Sequence, residues 1–388
     1  DRLLVSDKGV VEKIAKNVHI AFRHAPQFKN KLRFNLFTHT VEISDSGDDL
    51  PWASSGEWTD HDTMMANVEL NDMGILVGKS LTDDGMLSVA RLSENSYDPL
   101  KDYLEGVEWD GVPRVDDWLL TYANCTDRKD YLNIIGSKWL IGAVARGLNN
   151  SPNGVKVDTM LILESAQGRK KSTLVESLCP DKTWFCDGIE GDLGNKDAVI
   201  LLQGAFIVEI PELGAFSKTA INQQKSFISR KVDKVRLPFE RHSSSLPRRC
   251  VFIGTHNPNG EEYLRDPSGN RRFLPCEVGA TVDIEGLERD RDQIWGEAVH
   301  RYKSGESWWV DDESMAEIVR SEQSSRFLDH DIMDVVDMYI TQQPIILDAT
   351  DKRNIDIEWH DRDEVLTIFF PKLFWLEVYA EEFATGCQ

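Results

Sequence analysis

The spacing of apolar positions changes near residue 159. Before it they recur mainly at helical intervals; after it they gather into short unbroken runs. Residues 10–22 (VVEKIAKNVHIAF) predict a helix, and 31–43 (KLRFNLFTHTVEI) predict a strand that runs into a loop rich in Asp, Ser and Gly. Residues 62–150 predict mostly helix, in segments 62–74, 85–97 and 102–123 and in the apolar stretch 131–148. The polar stretch SPNGVKVD (151–158) reads as a linker. Five runs follow: TMLILES, TWFCDGI, GAFIVEIPEL, RCVFIGTHN and RRFLPCEV. Each has the length and the β-branched and aromatic content of a buried strand. Strands alternating with helical or polar stretches predict an α/β core of the nucleotide-binding kind. Beyond about residue 285, helical runs return at 292–305 and 315–340, before an aromatic-rich tail. The expected organisation is an α+β region of unassigned role at 1–94, a helical collar or linker at 95–158, the α/β core at 159–285, and a helical, acidic region at 286–388. No internal repeat interrupts it.

Composition narrows the class without naming it. A chain of 388 residues, 41% apolar and 28% charged, is an ordinary soluble globular protein with room for two or three cores. The six cysteines form no C-x-x-C pair, so neither a zinc ribbon nor a disulfide framework is expected, and a reducing cytoplasm is. No apolar run is long enough to span a membrane and no targeting segment is visible, so no membrane partner is expected. A start at Asp1 suggests an internal piece of a longer polypeptide. The net charge of −22 is unevenly distributed. Residues 311–388 hold 6 Lys+Arg against 19 Asp+Glu, a net of −13, whereas 225–249 hold 8 against 2, a net of +6. A basic block inside an acidic chain is where a nucleic-acid backbone could bind, and a solvated hairpin with incidental charge would look the same.

Residues 160–173, MLILESAQGRKKST, carry the candidate chemistry. Laid on the phosphate-loop pattern G-x-x-x-x-G-K-[ST], they put Lys171 at the phosphate lysine and Ser172 at the magnesium hydroxyl. Ser165 and Lys170 stand where the pattern has glycine, and Gly168 lies between them. Gln167, Gly168, Lys170, Lys171, Ser172 and Thr173 are the candidate nucleotide contacts. On its own, K-K-S-T fits a basic helix start equally well. An ATPase also needs a carboxylate beside the loop on a buried strand. Glu209, after the apolar run 205–208, fits the magnesium or its water, with Glu212 as the other candidate base. Asn257 follows the next apolar run, where an amide could position the attacking water; Thr255 is the second choice. Arg271 and Arg272 precede the fifth run, where an arginine could reach a neighbouring subunit's γ-phosphate.

WDGVPR (109–114), LESAQGRKKSTL, GAFIVEIPEL, KSFISRKVDKVRLPF, RRCVFIGTHN and DPSGNRRFLP occur in this order. Together they resemble the virulence-associated E family, phage- and island-encoded relatives of superfamily 3 helicases, from about residue 95 to 330. The resemblance implies an AAA+-like P-loop core binding ATP and Mg²⁺ at subunit interfaces of a ring, a hexamer, around single-stranded DNA. Primase or other phage replication proteins are the further partners it implies. Carried over by position, Lys171 and Ser172 take the phosphate and magnesium roles, Glu209 the acidic motif, Asn257 the sensor, and Arg271 or Arg272 the finger. The stretch holding Lys225, Lys231, Lys234 and Arg236 falls where such relatives carry a DNA-tracking hairpin, with Arg241-His242 near its tip. A cation beside a planar ring can grip phosphate and sugar without reading bases.

The departures at Ser165 and Lys170 leave three readings: an ATP-driven single-stranded DNA translocase or helicase, a hydrolysis-poor DNA-bound scaffold or loader, and a fold kept for protein interaction. Asp60, His61 and Asp62 could suggest a metal site, but W-T-D-H-D fits a helix cap better.

Overall fold

The computed structural model describes residues 3–44, 56–187, 196–211, 225–237, 242–257 and 272–323, and the strands within 356–379. Its contacts divide the chain into two units, Asp1–Phe327 and Leu328–Gln388.

The first unit opens with helix α1 (Ala15–His24), strands β1 (Leu32–Asn35), β2 (Thr40–Ile43) and β3 (Gly56–Glu57), and helices α2 (Asp60–Asp72) and α3 (Lys79–Ala90). Strand β4 (Ser96–Tyr97) completes a four-stranded sheet in the order β3-β2-β1-β4. The predicted strand over 31–43 is in fact a hairpin, because His39 takes a left-handed φ of 60° and folds β2 back antiparallel to β1. The first helix starts later than its apolar pattern, since Val11 is drawn into a bridge with Val5. The Asp60-His61-Asp62 cluster resolves as a helix start. Thr59 caps α2, and the Asp62 carboxylate accepts from the Thr59 amide at 2.8 Å in a capping box, so Asp62 is engaged locally. Val18, Phe22, Phe28, Trp58 and Leu70 anchor this region's own core.

Three helices follow: α4 (Pro99–Gly106), α5 (Trp118–Thr121) and α6 (Lys129–Gly147). The helix predicted across 102–123 is broken between α4 and α5, where Gly111 takes a φ of 85° and Pro113 removes a donor. Helix α6 is buried on nearly every side, including Trp139, Val144 and Arg146, so it shows almost no amphipathic stripe. Close packing there requires Gly147: a Cβ would sit 2.4 Å from a methyl of Leu104.

Strands β5 (Met160–Glu164), β6 (Phe185–Cys186), β7 (Ile207–Ile210), β10 (Val251–His256) and β11 (Phe273–Glu277) form one sheet in the order β11-β5-β10-β7-β6. All its pairings are parallel. Their residues are buried almost throughout, as expected of a sheet covered on both faces. Helices α7 (Lys171–Leu178), α8 (Lys196–Leu201) and α9 (Ile284–Lys303) connect and cover it. One core cluster joins α4, α5 and α6 to β5, β7, β10 and α9, so the 95–158 helices share a core with the sheet. Between β7 and β10 lies a two-stranded antiparallel sheet, β8 (Val232–Val235) and β9 (Ser244–Pro247), with Val232 opposite Pro247 and Val235 opposite Ser244.

Residues 313–323 are helical, but the second unit departs from the helical expectation. Strands β12 (Asp356–His360), β13 (Val365–Phe370) and β14 (Phe374–Tyr379) form an antiparallel sheet with Asp356 opposite Phe369 and Val365 opposite Tyr379. Runs such as VLTIFF and FWLEVY are β-branched and aromatic enough to favour strands.

Candidate functional site

Strand β5 ends at Glu164, and the chain turns through residues 165–170 into α7. The turn uses two left-handed residues, Gly168 with φ 83° and Lys170 with φ 56°. Lys170 therefore occupies a conformation that glycine adopts freely and that costs another residue about 1–2 kcal/mol. Its carbonyl accepts the first helical bond, from the Leu174 amide at 3.0 Å. The first-turn amides of α7, at Lys171, Ser172 and Thr173, have no intrahelical acceptor, and no acidic side chain occupies that turn. Backbone donors and the helix dipole together favour an anion there. Gln167, Gly168, Lys170, Ser172 and Thr173 are exposed around this point. Arg169 ties the loop down through a guanidinium bond to the Ala280 carbonyl at 2.7 Å.

The Lys171 ammonium donates to the Ser165 carbonyl at 2.7 Å and to the Ser165 hydroxyl at 2.9 Å. Ser165 thus adds an acceptor that glycine lacks. Partial burial lowers the Lys171 pKa, while the charge of Glu209 acts in the opposite direction. Glu209 is only 2% exposed and lies inside β7, opposite Ile253 of β10. Its Oε1 accepts from the Ser172 hydroxyl at 2.8 Å and from the Thr255 hydroxyl at 2.8 Å. Its Oε2 is buried without a hydrogen-bond partner among the described residues. A half-satisfied buried carboxylate is costly, and a cation or a water would relieve that cost.

The 165–170 turn, Glu209 and the polar end of β10 therefore converge, because β10 lies between β5 and β7. Thr255, the second choice from sequence, is the residue in contact with Glu209. Asn257 follows β10, and its Oδ1 is buried without a partner among the described residues; the same holds for the Arg272 Nε just before β11. Glu212, Arg241 and Arg271 lie outside the described residues.

The donor set fits a magnesium–nucleotide. Mg²⁺ is commonly held by one or two protein oxygens, with phosphate and water completing its shell. Ser172 and Glu209 supply such oxygens, and the α7 amides with Lys171 supply the anion site. Among the described residues, no group of three or more His, Cys, Asp or Glu forms a metal-only site.

The basic block is divided by burial. Lys231, Lys234, Arg236 and His242 are exposed on or beside the β8–β9 hairpin. Arg248 is buried, pairs with Asp233 at 2.6 Å, and lies over the Phe227 ring at 4.5 Å. Arg249 pairs with Asp98 at 2.8 Å and donates to the Gly147 carbonyl at 2.6 Å. Lys225, expected on the DNA-facing stretch, is instead 5% exposed, with its ammonium 5.8 Å from the Phe273 ring. Apolar packing claimed these three cations, so the accessible positive charge is smaller than the +6 of the sequence.

Among the described residues, no helix is long and apolar enough to cross a membrane. Two solved structures of the C-terminal region of NrS-1 are similar at a distance. The A-form apo structure aligns at 13% identity with a TM-score of 0.43, and the A-form apo structure of residues 305–718 at 14% with 0.33. Each alignment covers 75% of this chain and 71% of the other. No curated protein matches the sequence. The model of the virulence-associated protein E-like domain matches residues 104–327, more than half of the chain, including the 165–170 turn, β7 and the β8–β9 hairpin. This chain belongs to the virulence-associated protein E-like family.

Proposed function

We propose that this chain is an ATP-dependent translocase or helicase on single-stranded DNA, acting as a ring-shaped homo-oligomer, a hexamer, in phage or mobile-island DNA replication. The observation that carries the reading is the meeting of Lys171, Ser172, Glu209 and Thr255, with one Glu209 oxygen buried and unpaired. Bound Mg²⁺–ATP would supply the phosphoanhydride and the metal charge that makes its terminal phosphate susceptible to water. Lys171 would neutralise the phosphate oxygens once drawn away from Ser165, and the α7 amides would cradle them. Ser172 and Glu209 would hold the metal, directly or through water. The Glu209 Oε2 would accept a hydrogen bond from the attacking water, with Thr255 fixing that carboxylate's orientation. Asn257 and Arg272 each have a buried polar atom without a partner among the described residues; the first would position the water and the second would reach a neighbouring subunit's phosphate. The exposed cations of the hairpin, Lys231, Lys234, Arg236 and His242, would track the DNA backbone, with Arg241 and Arg271 completing their groups.

The test is single-stranded-DNA-stimulated ATP turnover by the purified chain. The reading expects stimulation that Lys171→Ala abolishes; a parent rate equal to that variant's would overturn it. In that event binding of ATP without turnover would favour the hydrolysis-poor scaffold or loader, a reading supported by the left-handed φ of 56° at Lys170. Electron microscopy with single-stranded DNA and a non-hydrolysable ATP analogue tests the ring directly.

A further inference from the structure

The 29 residues between Glu12 and Glu42 hold six Lys+Arg and three His, with no Asp or Glu. In a chain of net charge −22 this is a second cationic region, remote in sequence from the β8–β9 hairpin. It folds into α1 and β1, and the turn between them is shaped by Asn30 at a φ of 62°. Two adjoining cavities of about 390 Å³ and 360 Å³ open along this turn, sharing Asn30, Leu32, Glu94 and Asn95. Their walls carry Arg23, His24 and Lys29 on one side and Arg33 on the other.

We propose that this groove is a second binding site for the sugar–phosphate backbone of single-stranded nucleic acid, separate from the hairpin. Two joined cavities suit an extended strand better than a single small anion. The side-chain amide of Asn30 can donate to phosphate or sugar oxygens, the contact that positions a strand without reading it, while the Asn95 amide and the Ser96 hydroxyl donate to the Val89 and Leu92 carbonyls and hold the groove wall in shape. Arg33 sits over the Tyr97 ring at 4.6 Å and pairs with Glu42 at 3.2 Å, which holds its guanidinium at the groove wall and leaves Arg23 and Lys29 as the main cations offered to a strand. His24 takes up a proton less readily than an ordinary imidazole, through desolvation first and then through neighbouring positive charges, Arg23 and Lys29 among them. Glu94 opposes an anion, but it pairs with Arg23 at 3.2 Å with both side chains about half exposed, an arrangement that exchanges readily for phosphate.

The inference stands apart from the ATPase reading, because its test uses no nucleotide and a chain already carrying Lys171→Ala, Lys234→Ala and Arg236→Ala. Fluorescence anisotropy with a labelled oligothymidylate measures residual binding. Adding Arg23→Gln and Lys29→Gln is expected to lower affinity about tenfold at low salt and to cut the salt slope by about 1.4, roughly 0.7 for each lost single-strand phosphate contact. Glu94→Gln is expected to tighten binding several-fold, a gain that damaged folding would not produce. Competition by inorganic polyphosphate as effective as by an unlabelled oligonucleotide would reassign the groove to polyanions in general and overturn the nucleic-acid assignment. Affinity unchanged in the Arg23/Lys29 variant would overturn the site, as would no residual binding in the starting chain. An equal loss on placing Lys182→Gln and Lys303→Gln instead would reduce the effect to net charge and also overturn it.

Discussion

At its C-terminal end, β10 presents Thr255 to a carboxylate whose second oxygen is unpaired; at its N-terminal end, the preceding Arg248 and Arg249 are each closed onto an aspartate. Both ends bring polar groups into the interior, and about 20 Å of strand separates them at the usual rise per residue. At the N-terminal end nearly every charge has a partner, and the result is structure. Arg146 belongs there too: its fully buried guanidinium donates to the carbonyls of Cys250, Val157 and Arg230. Burial lowers its pKa to about 10, still far above neutrality, so it stays charged. At the C-terminal end the Glu209 Oε2 is left without a partner among the described residues, where a cation or a water would relieve the cost of its burial. Unpaired Nε atoms also remain on Arg146 and Arg249, so an unmet bond alone does not mark a functional residue; at Glu209 it falls on a carboxylate whose hydrogen-bond donors among the described residues are neutral hydroxyls.

The sharpest way to break this comparison is Glu209→Gln, which keeps the shape and removes the charge. ATP turnover should fall by about 10²–10⁴-fold in a steady-state assay while circular dichroism is unchanged, the range expected when a general base is lost. Retained turnover would remove Glu209 from the chemistry. At the opposite end, Arg248→Met leaves Asp233 buried and unpaired, and urea denaturation should show a loss of about 3–5 kcal/mol. A loss below about 1 kcal/mol would instead rank the pair with surface bridges. Lys234→Ala with Arg236→Ala changes only exposed cations. Stability should move by no more than about 0.5 kcal/mol, while the salt slope of single-stranded-DNA binding should fall by about 1.4. Smallest of all, Lys170→Gly should stabilise the fold by about 1 kcal/mol by relieving the left-handed residue. If turnover does not rise with it, the loop is limited by something other than that residue.

Much of the sheet was legible because β5, β10 and β11 are nearly pure apolar runs of strand length. The order of the loop, Glu209 and the polar end of β10 was legible as well. Their contacts were not: nothing in the spacing shows that β10 inserts between β5 and β7, and that insertion brings Thr255 rather than Asn257 against Glu209. The basic block misled in part, since a sequence does not reveal that Lys225, Arg248 and Arg249 are absorbed by rings and aspartates. The region from 13 to 41 was overlooked for the opposite reason. Its cations are spread thinly, and the signal is the absence of acids, which a search for charge runs does not register. In the second unit, abundant Asp and Glu obscured the strand-forming runs at 365–370 and 374–379.

The tether between Lys171 and Ser165 bears on how fast an anion could be captured. A free lysine side chain carries about 1.5–2 kcal/mol of rotamer freedom, which a binding site must otherwise remove at the moment of contact. Here two Ser165 oxygens already hold the ammonium, so that freedom is given up when the chain folds. The arriving phosphate therefore meets a swap of acceptors rather than a search. Removing only the hydroxyl, as in Ser165→Ala, should loosen the lysine and slow capture more than it weakens the final complex.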